Sequence, residues 1–158
     1  VSEYGGNDRV QVFNADGTIR RVIGSVGSEP GQFSRPQAIA LSDDGQRLYV
    51  ADSCNHRIQI FDATGTLLSV LGGPGREPGQ LHYPYDLVLL DDGSLLVSEY
   101  GSSRIQHLSP EGDSLGIWGT HGSETGALNA PWGIDSDGRR VWILDTGNHR
   151  VVTMHLPG

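Results

Sequence analysis

The chain repeats itself every 46 to 48 residues, and that period narrows the folds open to it more than any other feature. Gly31-Gln32-Phe33 returns as Gly79-Gln80-Leu81 and Gly126-Ala127-Leu128, and Pro36, Pro84 and Pro131 follow, 48 and 47 positions apart. An acid-to-arginine segment comes next in each unit: Asp52-Ser53-Cys54-Asn55-His56-Arg57, Glu99-Tyr100-Gly101-Ser102-Ser103-Arg104 and Asp145-Thr146-Gly147-Asn148-His149-Arg150. A fourth copy runs from Glu3 to Arg9 with one extra residue. Its opening Val1-Ser2-Glu3-Tyr4-Gly5 is identical to Val97-Ser98-Glu99-Tyr100-Gly101, so the sequence starts in the middle of a repeat.

Within one period the residues alternate with the two-residue rhythm of half-buried strands, and glycine-containing turns replace helix caps. In the second unit the pattern predicts strands near Ala38–Leu41, Arg47–Ala51, Arg57–Phe61 and Leu67–Leu71. Asp43-Asp44-Gly45 and Asp62-Ala63-Thr64-Gly65 punctuate them, and Asn14-Ala15-Asp16-Gly17, Asp91-Asp92-Gly93 and Asp135-Ser136-Asp137-Gly138 repeat the device. The 23 glycines and 8 prolines rule out a helical bundle, and a helical solenoid of similar period needs helices that the pattern does not offer. Four antiparallel strands per unit describe a β-propeller blade. The expectation is an all-β chain, one propeller segment over 1–158, with blade parts at about 1–25, 36–72, 84–119 and 131–156. That is about 3.5 blades, with strands grouped three, four, four and three. Such a count predicts an open arc, a fragment of a larger propeller, or a ring completed by an oligomer.

Charge restricts the partners. Nineteen acidic residues against eleven basic ones leave −8, and all eleven are arginine. So negative a surface disfavours nucleic acid and anionic membrane. No run nears the roughly 18 apolar residues of a membrane span, and Val1-Ser2-Glu3-Tyr4 lacks the features of a signal peptide, so a soluble chain without direct membrane insertion is expected. The compartment stays open, with an extracytoplasmic setting favoured over a cytoplasmic one. The single Cys54 cannot form an intrachain disulfide and is expected to be buried between blades.

Tyr49-Val50-Ala51-Asp52-Ser53-Cys54-Asn55-His56-Arg57-Ile58-Gln59-Ile60-Phe61 resembles the NHL repeat. Trp142 to Val151, with Asn148-His149-Arg150, is similar, whereas the copies at Arg104 and Arg9 lack the Asn-His pair. The resemblance implies a propeller that is usually six-bladed, of which this chain supplies a little over half. It also implies a protein-binding platform; some family members bind RNA, and relatives with similar blades are lyases or hydrolases.

Recurrence in every unit marks the acid and arginine as architecture, since a catalytic site is needed once. Asp52, Arg57, Glu99, Arg104, Asp145, Arg150, Glu3 and Arg9 are expected to pair bidentately across the turn between strands two and three. Asn55 and Asn148 belong to the same motif, and His56 and His149 are expected to donate hydrogen bonds between blades. The loop before each first strand varies instead: Ser34-Arg35-Pro36-Gln37-Ala38, His82-Tyr83-Pro84-Tyr85-Asp86 and Asn129-Ala130-Pro131-Trp132-Gly133. The family pattern favours glycine at the position of Asp86. His82, Tyr83, Tyr85, Asp86, Trp132 and Arg35 are therefore the candidate binding residues, aromatic and arginine side chains being the usual anchors of protein partners. No catalytic residue, metal ligand or cofactor is assigned. An alternative places zinc or calcium in a central channel, held by His82, Asp86 and residues of other blades, for lyase or lactonase-like chemistry; RNA binding is a second alternative that the charge disfavours. The partner is expected to be a protein, another copy of the chain or the rest of the propeller.

Overall fold

The computed structural model describes residues 1–156. Fourteen strands form four separate antiparallel sheets. The first holds β1 (Ser2–Glu3), β2 (Arg9–Phe13) and β3 (Ile19–Ile23). The second holds β4 (Pro36–Leu41), β5 (Arg47–Asp52), β6 (Arg57–Asp62) and β7 (Leu67–Gly72). The third holds β8 (Pro84–Leu89), β9 (Leu95–Glu99), β10 (Arg104–Leu108) and β11 (Ser114–Trp118). The last holds β12 (Ile134–Ser136), β13 (Arg140–Asp145) and β14 (Arg150–His155). In every sheet neighbouring strands are consecutive in sequence, and β1 lies beside β4, β4 beside β8 and β8 beside β12. The chain is a partial β-propeller, all-β as the period predicts.

The hairpins follow from local chemistry. Between β6 and β7 the Asp62 carboxylate accepts N–H bonds from Thr64 and Thr66 at 2.8 and 2.9 Å, while Gly65 takes a φ of 86° that a side chain would disfavour. Between β5 and β6, and again between β13 and β14, the turn tightens into a single-turn 3₁₀ helix, Ser53–Asn55 and Thr146–Asn148. These two turns are the helical content of the described residues, and the strand reading did not foresee them. Each closes through a left-handed histidine, His56 or His149, whose N–H donates to the carbonyl three residues back at 3.1 Å.

The core lies between the sheets. Val10 and Ile23 of the first sheet meet Leu48, Val50 and Phe61 of the second around Phe33. Tyr49, Ala51, Ile58, Ile60 and Leu71 meet Leu87, Leu95, Val97 and Leu108 around Leu81. Leu96 and Ile105 meet Ile134, Val141 and Ile143 around Leu128. Phe33, Leu81 and Leu128 come from the inter-sheet loops, so each loop plugs the gap that it crosses. Cys54 is only half-buried, because its 3₁₀ turn lies at the rim of the interface. Among the described residues no helix is long and apolar enough to cross a membrane.

Candidate interaction face

Each motif acid sits directly across its hairpin from the arginine, pairing Glu3 with Arg9, Asp52 with Arg57, Glu99 with Arg104 and Asp145 with Arg150. The arginine Nε donates to one carboxylate oxygen at 2.6 to 2.7 Å. These contacts are single rather than bidentate. In the last three sheets the second oxygen accepts a backbone N–H from the inter-sheet loop: Ser34 to Asp52 at 2.7 Å, His82 to Glu99 at 2.9 Å and Asn129 to Asp145 at 2.6 Å. The remaining guanidinium nitrogens donate to carbonyls of the same loop, Glu29 and Gln32 for Arg57, Gln80 for Arg104, Ser123 and Ala127 for Arg150. Asn55 and Asn148 tie the acid to Gly27 and Gly122 in the same way. The motif is thus a clamp for the loop that carries the candidate binding residues.

A second set of bonds joins successive sheets. The residue before each proline, Arg35, Tyr83 or Ala130, has a left-handed φ of 49° to 53°. Its N–H donates back to the previous sheet, to Asp8 Oδ2 at 2.8 Å, His56 Nδ1 at 3.1 Å and Ser103 Oγ at 3.3 Å. His56 is therefore an acceptor at this atom, not the donor expected from sequence, because the strained backbone of Tyr83 presents an N–H that needs a partner. Burial, then the adjacent His82, hold the His56 imidazole below its ordinary range, against the pull of Asp52.

The clamp and the left-handed bend position the candidate aromatic and arginine side chains in three contact groups. His82 stacks on His56 with ring centroids 5.4 Å apart, and Tyr83 meets His56 edge-on at 4.4 Å. Gly101 lies against this pair: a Cβ there would come within 2.5 Å of His82 Nδ1. Tyr85 stacks on Tyr100 at 4.6 Å and tilts against Trp132 at 5.6 Å, and the Arg35 guanidinium lies 5.3 Å over the ring of Tyr4. Tyr4, Trp132 and Tyr100 remain 52, 49 and 42% exposed. Burial raises the Tyr85 phenol, opposed by Arg35 and aided by Tyr100, Cys54 and Tyr4.

Tyr4 and Tyr100 were missing from the candidates. They follow the motif acid in the two copies that lack Asn-His, and the identity of Val1–Gly5 with Val97–Gly101 was the signal available for both. Asp86 and His82 do not meet as a ligand pair. Asp86 Oδ2 accepts the N–H of Ile134 at 3.0 Å, its Oδ1 accepts that of Leu87 at 2.9 Å, and Ser98 Oγ donates to the Trp132 carbonyl at 3.0 Å. Burial pushes the Asp86 carboxyl up, with these N–H groups opposing it. Its place is at the joint between the third and fourth sheets, under Trp132. Among the described residues no three His, Cys, Asp or Glu side chains are grouped to hold a metal ion.

Among curated proteins, none matches the chain. The family model of the NHL repeat matches residues 33–61 and 128–153, the stretches that contain the two Asn-His-Arg turns. Those two stretches are thus similar to the NHL repeat, and the acid–arginine clamp shared by all four sheets makes the whole chain consistent with a fragment of an NHL-repeat propeller.

Proposed function

We propose that the rim bearing Tyr4, Arg35, Tyr85, Tyr100 and Trp132 is a rigid, non-catalytic platform that binds a protein partner. NHL repeats usually mediate protein–protein interaction. The observation that carries the reading is the Tyr85–Tyr100–Trp132 contact group, in which Tyr100 and Trp132 are open to solvent and the Trp132 carbonyl accepts a hydrogen bond from Ser98 of the neighbouring sheet. Aromatic and arginine side chains already fixed in one conformation lose little entropy on binding, which is what makes them binding hot spots. The net charge of −8 favours a partner with a basic surface around its contact and disfavours RNA.

A photoreactive amino acid at position 132 in the native source tests the reading. It is expected to capture a protein whose affinity for the purified chain falls at least about tenfold in Tyr100→Ala and Trp132→Ala. Capture of RNA, or unchanged affinity in both variants, overturns it.

A further inference from the structure

The three joints between sheets close on three chemically different acceptors. The N–H of Arg35 is received by the Asp8 carboxylate, that of Ala130 by the Ser103 hydroxyl, and that of Tyr83 by the His56 imidazole at Nδ1. A ring nitrogen that accepts carries no hydrogen, so the neutral His56 holds its proton on Nε2. Of these three kinds of group only imidazole changes charge near neutral pH, and once protonated it has two donors and no acceptor. Ser103 Oγ also lies 3.3 Å from His121 Nδ1, but a hydroxyl has two lone pairs and can receive the Ala130 N–H in either state of that ring. A like group crowds His56. The His82 ring stacks on it with centroids 5.4 Å apart, and His82 Nδ1 is buried without a hydrogen-bond partner among the described residues. The other groups facing His56 are Asp52 of its own hairpin, already paired with Arg57, and the edge of the Tyr83 ring. Glu99 of the third sheet accepts the His82 N–H at 2.9 Å.

We propose that the joint between the second and third sheets is an acid-operated latch: a proton on His56 Nδ1 expels the Tyr83 N–H and opens this seam, while the joints at Asp8 and Ser103 stay closed. Two donors would otherwise meet 3.1 Å apart, and a second imidazolium at His82 would add like-charge repulsion across the stack. The loop keeps its hold on its own sheet, since Glu99 receives the His82 N–H and the carbonyls of Tyr83 and His82 receive the N–H groups of Tyr100 and Gly101 at 3.0 and 3.1 Å. What opens is therefore one seam and not the fold. Burial and then His82 hold the His56 imidazole below its ordinary range, against Asp52. The joint thus contributes fully above the unfolded pKa and loses that contribution as pH falls through the depressed folded value. The loop also carries Tyr85, so acid loosens the seating of the aromatic group; the latch itself does not depend on that group binding a partner.

Amide hydrogen exchange of the full chain, corrected for the intrinsic rate and followed by NMR between about pH 7.5 and about pH 5, tests the latch. Protection of the Tyr83 amide is expected to fall at least about tenfold on acidification, with that of Arg35 and Ala130 within about twofold of its neutral value. The nitrogen shifts of the His56 ring should show a bare Nδ1 and a protonated Nε2 at neutral pH, and titrate together with the loss of protection. In His56→Asn the side-chain Oδ1 hangs on Cγ as Nδ1 does in histidine, accepts without titrating and tolerates the left-handed backbone, so Tyr83 is expected to stay protected at both ends of the range. The proposal is overturned by a hydrogen on His56 Nδ1 at neutral pH, by Tyr83 protection that does not change with pH, or by an equal loss at Arg35 and Ala130, which marks general unfolding. A pH-dependent loss that persists in His56→Asn also overturns it, by assigning the effect to Glu99 or His82.

Discussion

The inner two sheets and the two terminal sheets carry the same acid–arginine clamp at the same 2.6 to 2.7 Å, yet in different surroundings. The side chains of Arg57 and Arg104 are 11 and 9% exposed, and those of Arg9 and Arg150 are both 35% exposed. Hairpin register fixes the geometry of the pair, whereas the neighbouring sheet and loop decide its energetic weight. A contact of constant length therefore carries far more weight where the acid is fully buried, as at Glu99–Arg104, than at Glu3–Arg9, where both side chains are about one-third exposed.

Removing one partner inside should do the most damage. Arg104→Ala leaves the buried Glu99 without its cation and frees the loop at Gln80, and a loss of about 3–5 kcal/mol in urea unfolding is expected. A loss below that of an ordinary surface substitution would erase the difference between inner and outer sheets. Leu81→Ala opens a cavity between the second and third sheets and should cost about 2–5 kcal/mol, while Leu115→Ala on the exposed side of β11 should stay within about 0.5 kcal/mol. Equal effects would mean that the interface is not the core.

Titration sharpens the comparison. Burial raises the Glu99 carboxyl despite Arg104, whereas at Asp145 the N–H of Asn129, Asn148 and Arg150 outweigh burial and hold the acid below its ordinary range. A raised acid binds its proton more tightly when folded, so its contribution is complete below the unfolded pKa and is lost as pH climbs through the folded value. The lowered Asp145 contributes above the unfolded pKa and loses that contribution as pH falls through its depressed folded value. Melting temperatures followed across the carboxylate range should therefore show the advantage of the native chain over Asp145→Asn shrinking on acidification, and that over Glu99→Gln growing. The smallest effect belongs to Arg9→Ala, whose melting midpoint should remain within experimental scatter of the native chain, because the half-exposed Glu3–Arg9 pair is screened by water.

The strands were legible because their signals are local: alternation from Arg47 to Asp52 and from Arg57 to Asp62, and glycines at the turns where φ must be positive. The predicted Arg47–Ala51 and Arg57–Phe61 each extend by a single residue in the fold. The interactions between sheets were not legible, since they join residues some two dozen or more positions apart. That Tyr83 would need an acceptor, and that His56 would be it, depends on a left-handed backbone bend that no single residue announces. The single rather than bidentate clamp has the same origin, for the second carboxylate oxygen is claimed by Ser34, far from Asp52 in sequence. Tyr100 reached the aromatic rim through stacking on Tyr85, a cross-hairpin contact invisible in a linear reading of either segment.

The bonds that the N–H groups of Arg35, Tyr83 and Ala130 donate to Asp8, His56 and Ser103 give each of these joints a donor from one unit and an acceptor from the one before. A tandem duplication of one whole period, such as residues 36–83 inserted in frame, would bring a fresh acceptor and a fresh donor together and keep all joints filled. Insertion of half a period would strand one of each. Growth by whole modules is thus the evolutionary step this architecture tolerates most readily.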